Sequence, residues 1–248
     1  MTREWKMALL GGLGGAALSL VIVLGLAQAG LLPEPKRDAQ FHDYLMSHTS
    51  ILADMSVKMQ ADQQASDDAA RQAAVNKIGL KAFFDPHVAF VTGPADAKMT
   101  MVEFFDYNCP YCRASLPTVK KFYAANKDSA RLAFIDFPIK GPNSVIAASA
   151  AVAARKQPAK YVLFHFLLME EDGLVTADTV FQDARKAGLN VDKLRADMMD
   201  KSVDADIAAA KRLADAAKVD GTPAFIVNGT MREGALNDDV LSGLLKKS

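Results

Sequence analysis

Cysteine is almost missing from this chain of 248 residues, which holds two. That is too few for the disulfide framework of a small secreted scaffold. Histidine is nearly as scarce: His42, His48, His87 and His165 are the four, and their separations do not fit a zinc finger. Net charge is absent, with 29 basic side chains against 29 acidic ones and an isoelectric point near 6.9. A nucleic-acid binder carries a basic surplus, so no nucleic-acid partner is expected. The sequence has no Walker motif and no G-x-G-x-x-G between a strand and a helix, which leaves nucleotide use unsupported. What is abundant is apolar: half the residues are hydrophobic and 23% charged. That composition supports a real core and excludes wholesale disorder, over a length that fits one large domain or two modest ones.

Met7 to Gly30 carries no charge, with Arg3, Glu4 and Lys6 ahead of it and Pro33, Glu34 and Pro35 behind. A run of about 20 such residues can span a bilayer, and basic residues at the short end predict that end in the cytoplasm. Residues 1–30 therefore read as an uncleaved membrane anchor or as a signal peptide. Ala27-Gln28-Ala29 has the small-x-small form of a cleavage site, while the apolar run exceeds the usual signal-peptide core. Either reading exports the rest of the chain to a compartment where thiols can be oxidised.

Pro33 to Arg37 reads as a polar linker, and Asp38 to about Lys81 as helix. Phe41, Leu45, His48, Leu52, Met55 and Met59 follow alternating steps of four and three, a heptad seam. Residues 31–86 thus form a helical extension. It is either an amphipathic helix lying on its own domain or a stalk that self-associates as a dimer or trimer. Asp85-Pro86 and Gly93-Pro94 are turn signals that close it.

From Lys98 the pattern changes. Met99 to Phe105 has the length and apolarity of a buried strand. Cys109-Pro110-Tyr111-Cys112 follows, then a helix from Arg113 to Asn126 with Pro117 inside it, then a second strand from Arg131 to Phe137. Ala-rich helical stretches fill Ser144–Lys156, Ala159–Glu170, Thr176–Ala187 and Val191–Lys218, a helical insertion at about residues 141–218. After Gly221-Thr222-Pro223 comes a strand over Ala224–Asn228. Asn228-Gly229 signals a hairpin turn, a short strand near Met231 follows, and Leu236 to Lys247 is a last helix. The fold class is α/β, with residues 87–248 as its domain.

C-x-x-C has two main chemical readings, zinc ligation and redox. Zinc asks for four ligands, and no second pair is present. Between a strand and a helix, the first sulfur lies near the helix N-terminus, where unpaired N–H groups and the helix dipole stabilise a thiolate. A stabilised thiolate is the better leaving group and makes the oxidised pair a better oxidant. Cys109 is the expected attacking thiol and Cys112 the resolving one. The histidines read as bystanders, His165 as a partly buried residue of the insertion.

The string Val102-Glu103-Phe104-Phe105-Asp106-Tyr107-Asn108-Cys109-Pro110-Tyr111-Cys112, followed by Gly221-Thr222-Pro223-Ala224-Phe225, resembles thioredoxin-fold disulfide oxidoreductases of the DsbA family. With the helical extension, it is similar to the ScsC-like and Com-type members. The resemblance implies a thioredoxin fold carrying a helical insertion. It implies that Pro223 is a cis-proline facing the thiols, and that Thr222 offers its backbone to a substrate strand. It also implies that Glu103 is a buried carboxylate passing protons to or from Cys112, and that Pro110 and Tyr111 are the dipeptide that tunes the potential and meets substrate. Family members often carry His at the position of Tyr111; an imidazolium there favours the thiolate, and Tyr supplies no such charge.

The function expected is thiol–disulfide exchange in the periplasm of a bacterial cell envelope, with no cofactor and no metal. The partners are proteins with thiols or disulfides and a membrane redox partner. A monomer suits an oxidase and an oligomer suits an isomerase or reductase, towards which the stalk tilts. The alternatives are a copper- or metal-handling protein that uses the thiols as soft ligands, and a surface protein that uses the fold as a scaffold.

Overall fold

The computed structural model describes residues 19–26, 28–30 and 35–246. Most of the apolar leader lies outside these residues, so the anchor or signal expected there does too. Among the described residues no helix is long and apolar enough to cross a membrane. The chain divides into two compact units, 1–62 and 63–248, so the division does not coincide with the boundary expected near residue 86.

In the first unit, α1 (Pro35–Ser47) begins inside the stretch expected to be a linker. The single helix expected from Asp38 onward is interrupted at His48 and Thr49, and α2 (Ser50–Ile78) follows. Local competition explains the break: the Ser47 hydroxyl donates back to the carbonyls of Asp43 (2.8 Å) and Tyr44 (2.9 Å), and His48 Nδ1 lies 3.0 Å from the latter. Phe41, Leu52, Met55 and Met59 of the seam are exposed.

In the second unit the end of α2 leads through a 3₁₀ turn (Leu80–Phe84) into a five-stranded sheet. Its strands are β1 (Phe90–Thr92), β2 (Met99–Phe105), β3 (Ala130–Asp136), β4 (Ala224–Val227) and β5 (Thr230–Glu233), in the order β1-β3-β2-β4-β5. β2 and β3 are parallel, joined through α3 (Pro110–Asn126), and every other pairing is antiparallel. Central β2 is buried on both faces, which is why it reads as one apolar run. Period-two alternation sends Met101, Glu103 and Phe105 to one face, and Val102 and Phe104 to the other. The first face packs on α3 and the insertion. The second packs on Val75 of α2, Phe83, Phe84 and the end of the insertion, including Ala214 and Val219.

β1 was not foreseen. It is three residues long and antiparallel to β3 through Val91↔Ala133. Gly93 ends it at φ +86, where an added Cβ would stand 1.9 Å from the Ala130 carbonyl oxygen, so only glycine fits. The insertion is five helices: α4 (Pro142–Ala154), α5 (Pro158–Glu170), α6 (Ala177–Lys186), α7 (Val191–Met198) and α8 (Lys201–Ala216). The one long stretch expected over Val191–Lys218 is divided because Asp200 caps α8, its carboxylate accepting the Ser202 N–H at 2.9 Å. Asn228 and Gly229, both at positive φ, turn β4 into β5 as expected. α9 (Asp238–Lys246) closes the domain.

Candidate active site

Cys109 ends the loop after β2 and starts α3. Its extended backbone (φ −89°, ψ 118°) makes it the N-cap, and Pro110 follows at the first helical turn, where a missing N–H costs nothing. Across from it the Thr222–Pro223 peptide bond is cis, as the family resemblance implied. The Cys109 thiol donates to the Thr222 carbonyl oxygen at 3.1 Å. Both cysteines are buried and are present as free thiols.

The two thiols are driven apart in acidity. Cys109 falls from an ordinary 9.0 to about 5. The hydrogen bond from the Cys112 thiol is the largest cause. Burial opposes the shift, and the Thr222 hydroxyl and the N–H groups of Cys112 and Tyr111 add to it. Cys112 moves the other way, first through its own burial, then through its bond to Cys109, then through the charge of Glu103. Glu103, 3% exposed on β2, is raised from 4.5 to about 8 by burial. Its Oε2 has no hydrogen-bond partner among the described residues. The geometry therefore places an acidic thiol at the helix start, a reluctant second thiol behind it, and a carboxyl that holds its proton near neutrality.

Of the residues singled out in the sequence, Cys109, Cys112, Glu103, Thr222 and Pro223 converge on one point of the fold. Pro110 and Tyr111 lie on the outer side, with Tyr111 65% exposed. The sequence reading missed the frame around them. The buried Asp106 carboxylate accepts the N–H groups of Asn108 (2.7 Å), Ile139 (2.7 Å) and Lys140 (2.8 Å) and the Ser144 hydroxyl (2.7 Å). The Asn108 amide brackets Val175, accepting its N–H at 2.7 Å and donating to its carbonyl at 3.4 Å. Arg113 donates twice to the Tyr107 carbonyl, at 3.2 and 2.9 Å. The loop in front of Cys109 is thus fastened to the insertion. Asp106 two residues before Asn108 is a turn signal that could have been read; the distant partners could not. His165 corrects the expectation of partial burial: it is 1% exposed, its Nδ1 lies 3.0 Å from the Tyr107 hydroxyl, and burial lowers it to about 3.

Residues 87–247 match the thioredoxin family model. The chain belongs to that family. A thioredoxin-like oxidoreductase from Silicibacter pomeroyi DSS-3 is 37% identical, covering 68% of this chain and 96% of its own, with a TM-score of 0.62. The probable disulfide bond formation protein D of Bacillus cereus is 28% identical over 56% of this chain and 69% of its own length. The Na(+)/H(+) antiporter NhaA 3 of Salinispora tropica is 34% identical over 66% of this chain. The chain spans 25% of that antiporter's length. Within the matched residues a helical block separates the β-α-β half from the β-β-α half.

Proposed function

We propose that the chain is a thiol–disulfide oxidoreductase of the DsbA type, acting on protein substrates at the periplasmic side of a bacterial cell envelope. The observation that carries this is the Cys109 thiol at the N-cap of α3, 3.1 Å from the Thr222 carbonyl, with Cys112 and Glu103 buried behind it. In the reducing direction the Cys109 thiolate attacks a substrate disulfide. A Cys109–substrate bond forms and the other substrate sulfur leaves as a thiolate. Cys112 then gives up its proton, to Glu103 when that carboxylate is free, and attacks the Cys109 sulfur. The second substrate thiolate leaves and a Cys109–Cys112 disulfide remains, so two electrons have passed to the substrate. The reverse sequence oxidises a dithiol, and a membrane redox partner resets the pair.

Protein substrates suit the surroundings. Tyr111, Ile139, Val145 and Leu174 are exposed and apolar. Tyr111 is part of the CxxC, Ile139 donates to Asp106, and Val145 and Leu174 adjoin Ser144 and Val175, which bond to Asp106 and Asn108. Among the described residues no group of three or more His, Cys, Asp or Glu could hold an ion, so the metal-handling alternative would rest on the two thiols alone, and a Cu(I) titration separates it from turnover. With dithiothreitol as reductant the wild-type chain is expected to accelerate the precipitation of reduced insulin. A rate equal to that of dithiothreitol alone would remove the enzymatic reading. Thiol trapping in cells assigns the direction, a mostly oxidised pair marking an oxidase and a mostly reduced pair an isomerase or reductase.

The exposed Phe41, Leu52, Met55 and Met59 support a second element of the reading, self-association through the helical extension of residues 31–86 as a dimer or trimer. Each exposed apolar side chain costs about 25 cal/mol per Å² that a sister chain could cover. Light scattering on a chain beginning near Pro33 is expected to give a multiple of the monomer mass. A monomer at tens of micromolar would discard the stalk, and with it the tilt towards an isomerase.

A further inference from the structure

The thioredoxin family match begins at residue 87, yet Arg71, on α2 ahead of it, is 8% exposed and reaches the loop that ends in Thr222. Its guanidinium spans three groups. Nε donates to the Lys218 carbonyl at 3.1 Å. Nη2 lies 3.1 Å from Asp220 Oδ2 and 3.0 Å from Glu233 Oε2. Glu233 in turn accepts the Asp220 N–H at 3.0 Å and sits in register with Ala224, just after Pro223. Arg71 Nη1 also lies 3.5 Å from Asp68 on its own helix.

The loop needs such a tether. It leaves α8 at Lys218, whose φ of +59° is the left-handed turn of a helix end. It then crosses to β4 through Val219, Asp220, Gly221 and Thr222. Val219 is buried against the core face that holds Val75, one helical turn beyond Arg71. Arg71 therefore holds the loop's first carbonyl, its middle side chain, and the strand residue beside its exit. A planar fork with several donors in fixed directions can do this, whereas a single ammonium cannot span all three. The last residue of the loop, Thr222, offers its carbonyl to the Cys109 thiol.

We infer that Arg71 is a positioning residue of the active site. Acting through residues 218–222, it holds the Thr222 backbone at docking distance from Cys109 and makes residues 63–78 part of the working oxidoreductase. The inference rests on the proposed thiol–disulfide exchange and on the pairing of a substrate strand with Thr222 that the family resemblance implies. A displacement of about 1 Å in such a frame is enough to weaken docking.

Gln72 supplies the control. It lies beside Arg71 but binds the hairpin turn instead, donating to the Gly229 carbonyl at 2.8 Å and accepting the Met231 N–H at 2.9 Å. In the full chain, Arg71→Gln is expected to raise KM for insulin about fivefold with kcat within about twofold. Arg71→Lys is expected to raise it too, because charge without the fork does not rescue. Gln72→Ala is expected to lower Tm without changing KM. An unchanged KM in Arg71→Gln, a full rescue by lysine, or an equal rise in Gln72→Ala would overturn the inference. If Arg71→Gln does not fold, Arg71→Lys carries the same comparison. Failure of the wild type to act on insulin would count against the proposed function instead. Arg71 would then be judged by amide hydrogen exchange at residues 219–222, expected to quicken in Arg71→Lys and not in Gln72→Ala; no local change would overturn it.

Discussion

Serine at Cys112 is expected to turn the chain into a trap. Cys109 can still attack, since its low pKa comes from several sources and the N–H groups of the α3 first turn survive the change. The second attack cannot occur, because a serine hydroxyl does not displace a thiolate from the Cys109 sulfur under these conditions. Mixed disulfides with substrate should then accumulate as reducible bands on a non-reducing gel, and insulin turnover should fall about 10³-fold or more. Serine at Cys109 should abolish both turnover and trapped species. The asymmetry follows from position: Cys109 is the N-cap beside Thr222, whereas Cys112 lies inside α3, where burial pushes its thiol up. At pH 6 a group with a pKa of about 5 is roughly nine-tenths ionised, so limiting iodoacetamide should modify Cys109 first in the reduced wild type. Preferential labelling of Cys112, or trapped substrate on the Cys109→Ser chain, would reverse the two roles.

The parts of this site that could be read in the sequence are those whose physics is local. β2, β3 and β4 are buried on both faces, and such strands show themselves as apolar runs. The CxxC declares itself by its place between a strand and a helix. Glu103 is reached only through the family resemblance, which implies a buried carboxylate at that place in the Met99–Phe105 run. The features that stayed hidden depend on partners far along the chain. Asp106 finds Ile139, Lys140 and Ser144, Asn108 finds Val175, and Arg71 finds Lys218, Asp220 and Glu233. No local periodicity carries such information. β1 escaped because three residues give too little alternation to register, and its pairing with β3 comes from tertiary context. The breaks at His48 and at Asp200 escaped because side-chain capping decided them within stretches of otherwise good helix formers.

Glu103→Gln is expected to remove a pH slope from the stability of the oxidised protein. The carboxyl titrates at 4.5 when unfolded and at about 8 when folded. Below 4.5 it is protonated in both states and costs nothing. Between 4.5 and 8 the unfolded chain releases the proton while the folded chain keeps it, so stability falls as pH rises, and above 8 the loss is complete. From pH 5 to pH 7 this amounts to about 2 kcal/mol. In the reduced protein Cys109 works against it: its folded pKa of about 5 lies below the ordinary 9.0, so its contribution is absent below 5 and grows as pH rises towards 9. The two slopes offset each other between pH 5 and 8, so in the dithiol form Glu103 and Cys109 together add little to the pH dependence. Forming the disulfide removes the Cys109 contribution and leaves that of Glu103, whose cause is burial alone. Chemical denaturation of oxidised wild type and oxidised Glu103→Gln at pH 5, 6, 7 and 8 isolates the difference, because Asp136, raised to about 6 by its own burial, is common to both chains. The wild type should lose stability relative to the variant at each step. Under the proposed exchange, in which Glu103 takes the Cys112 proton, the variant should also resolve mixed disulfides about 10²-fold more slowly. Parallel stability curves across that range would mean that Glu103 ionises normally in the folded protein and has no proton to hold for the exchange.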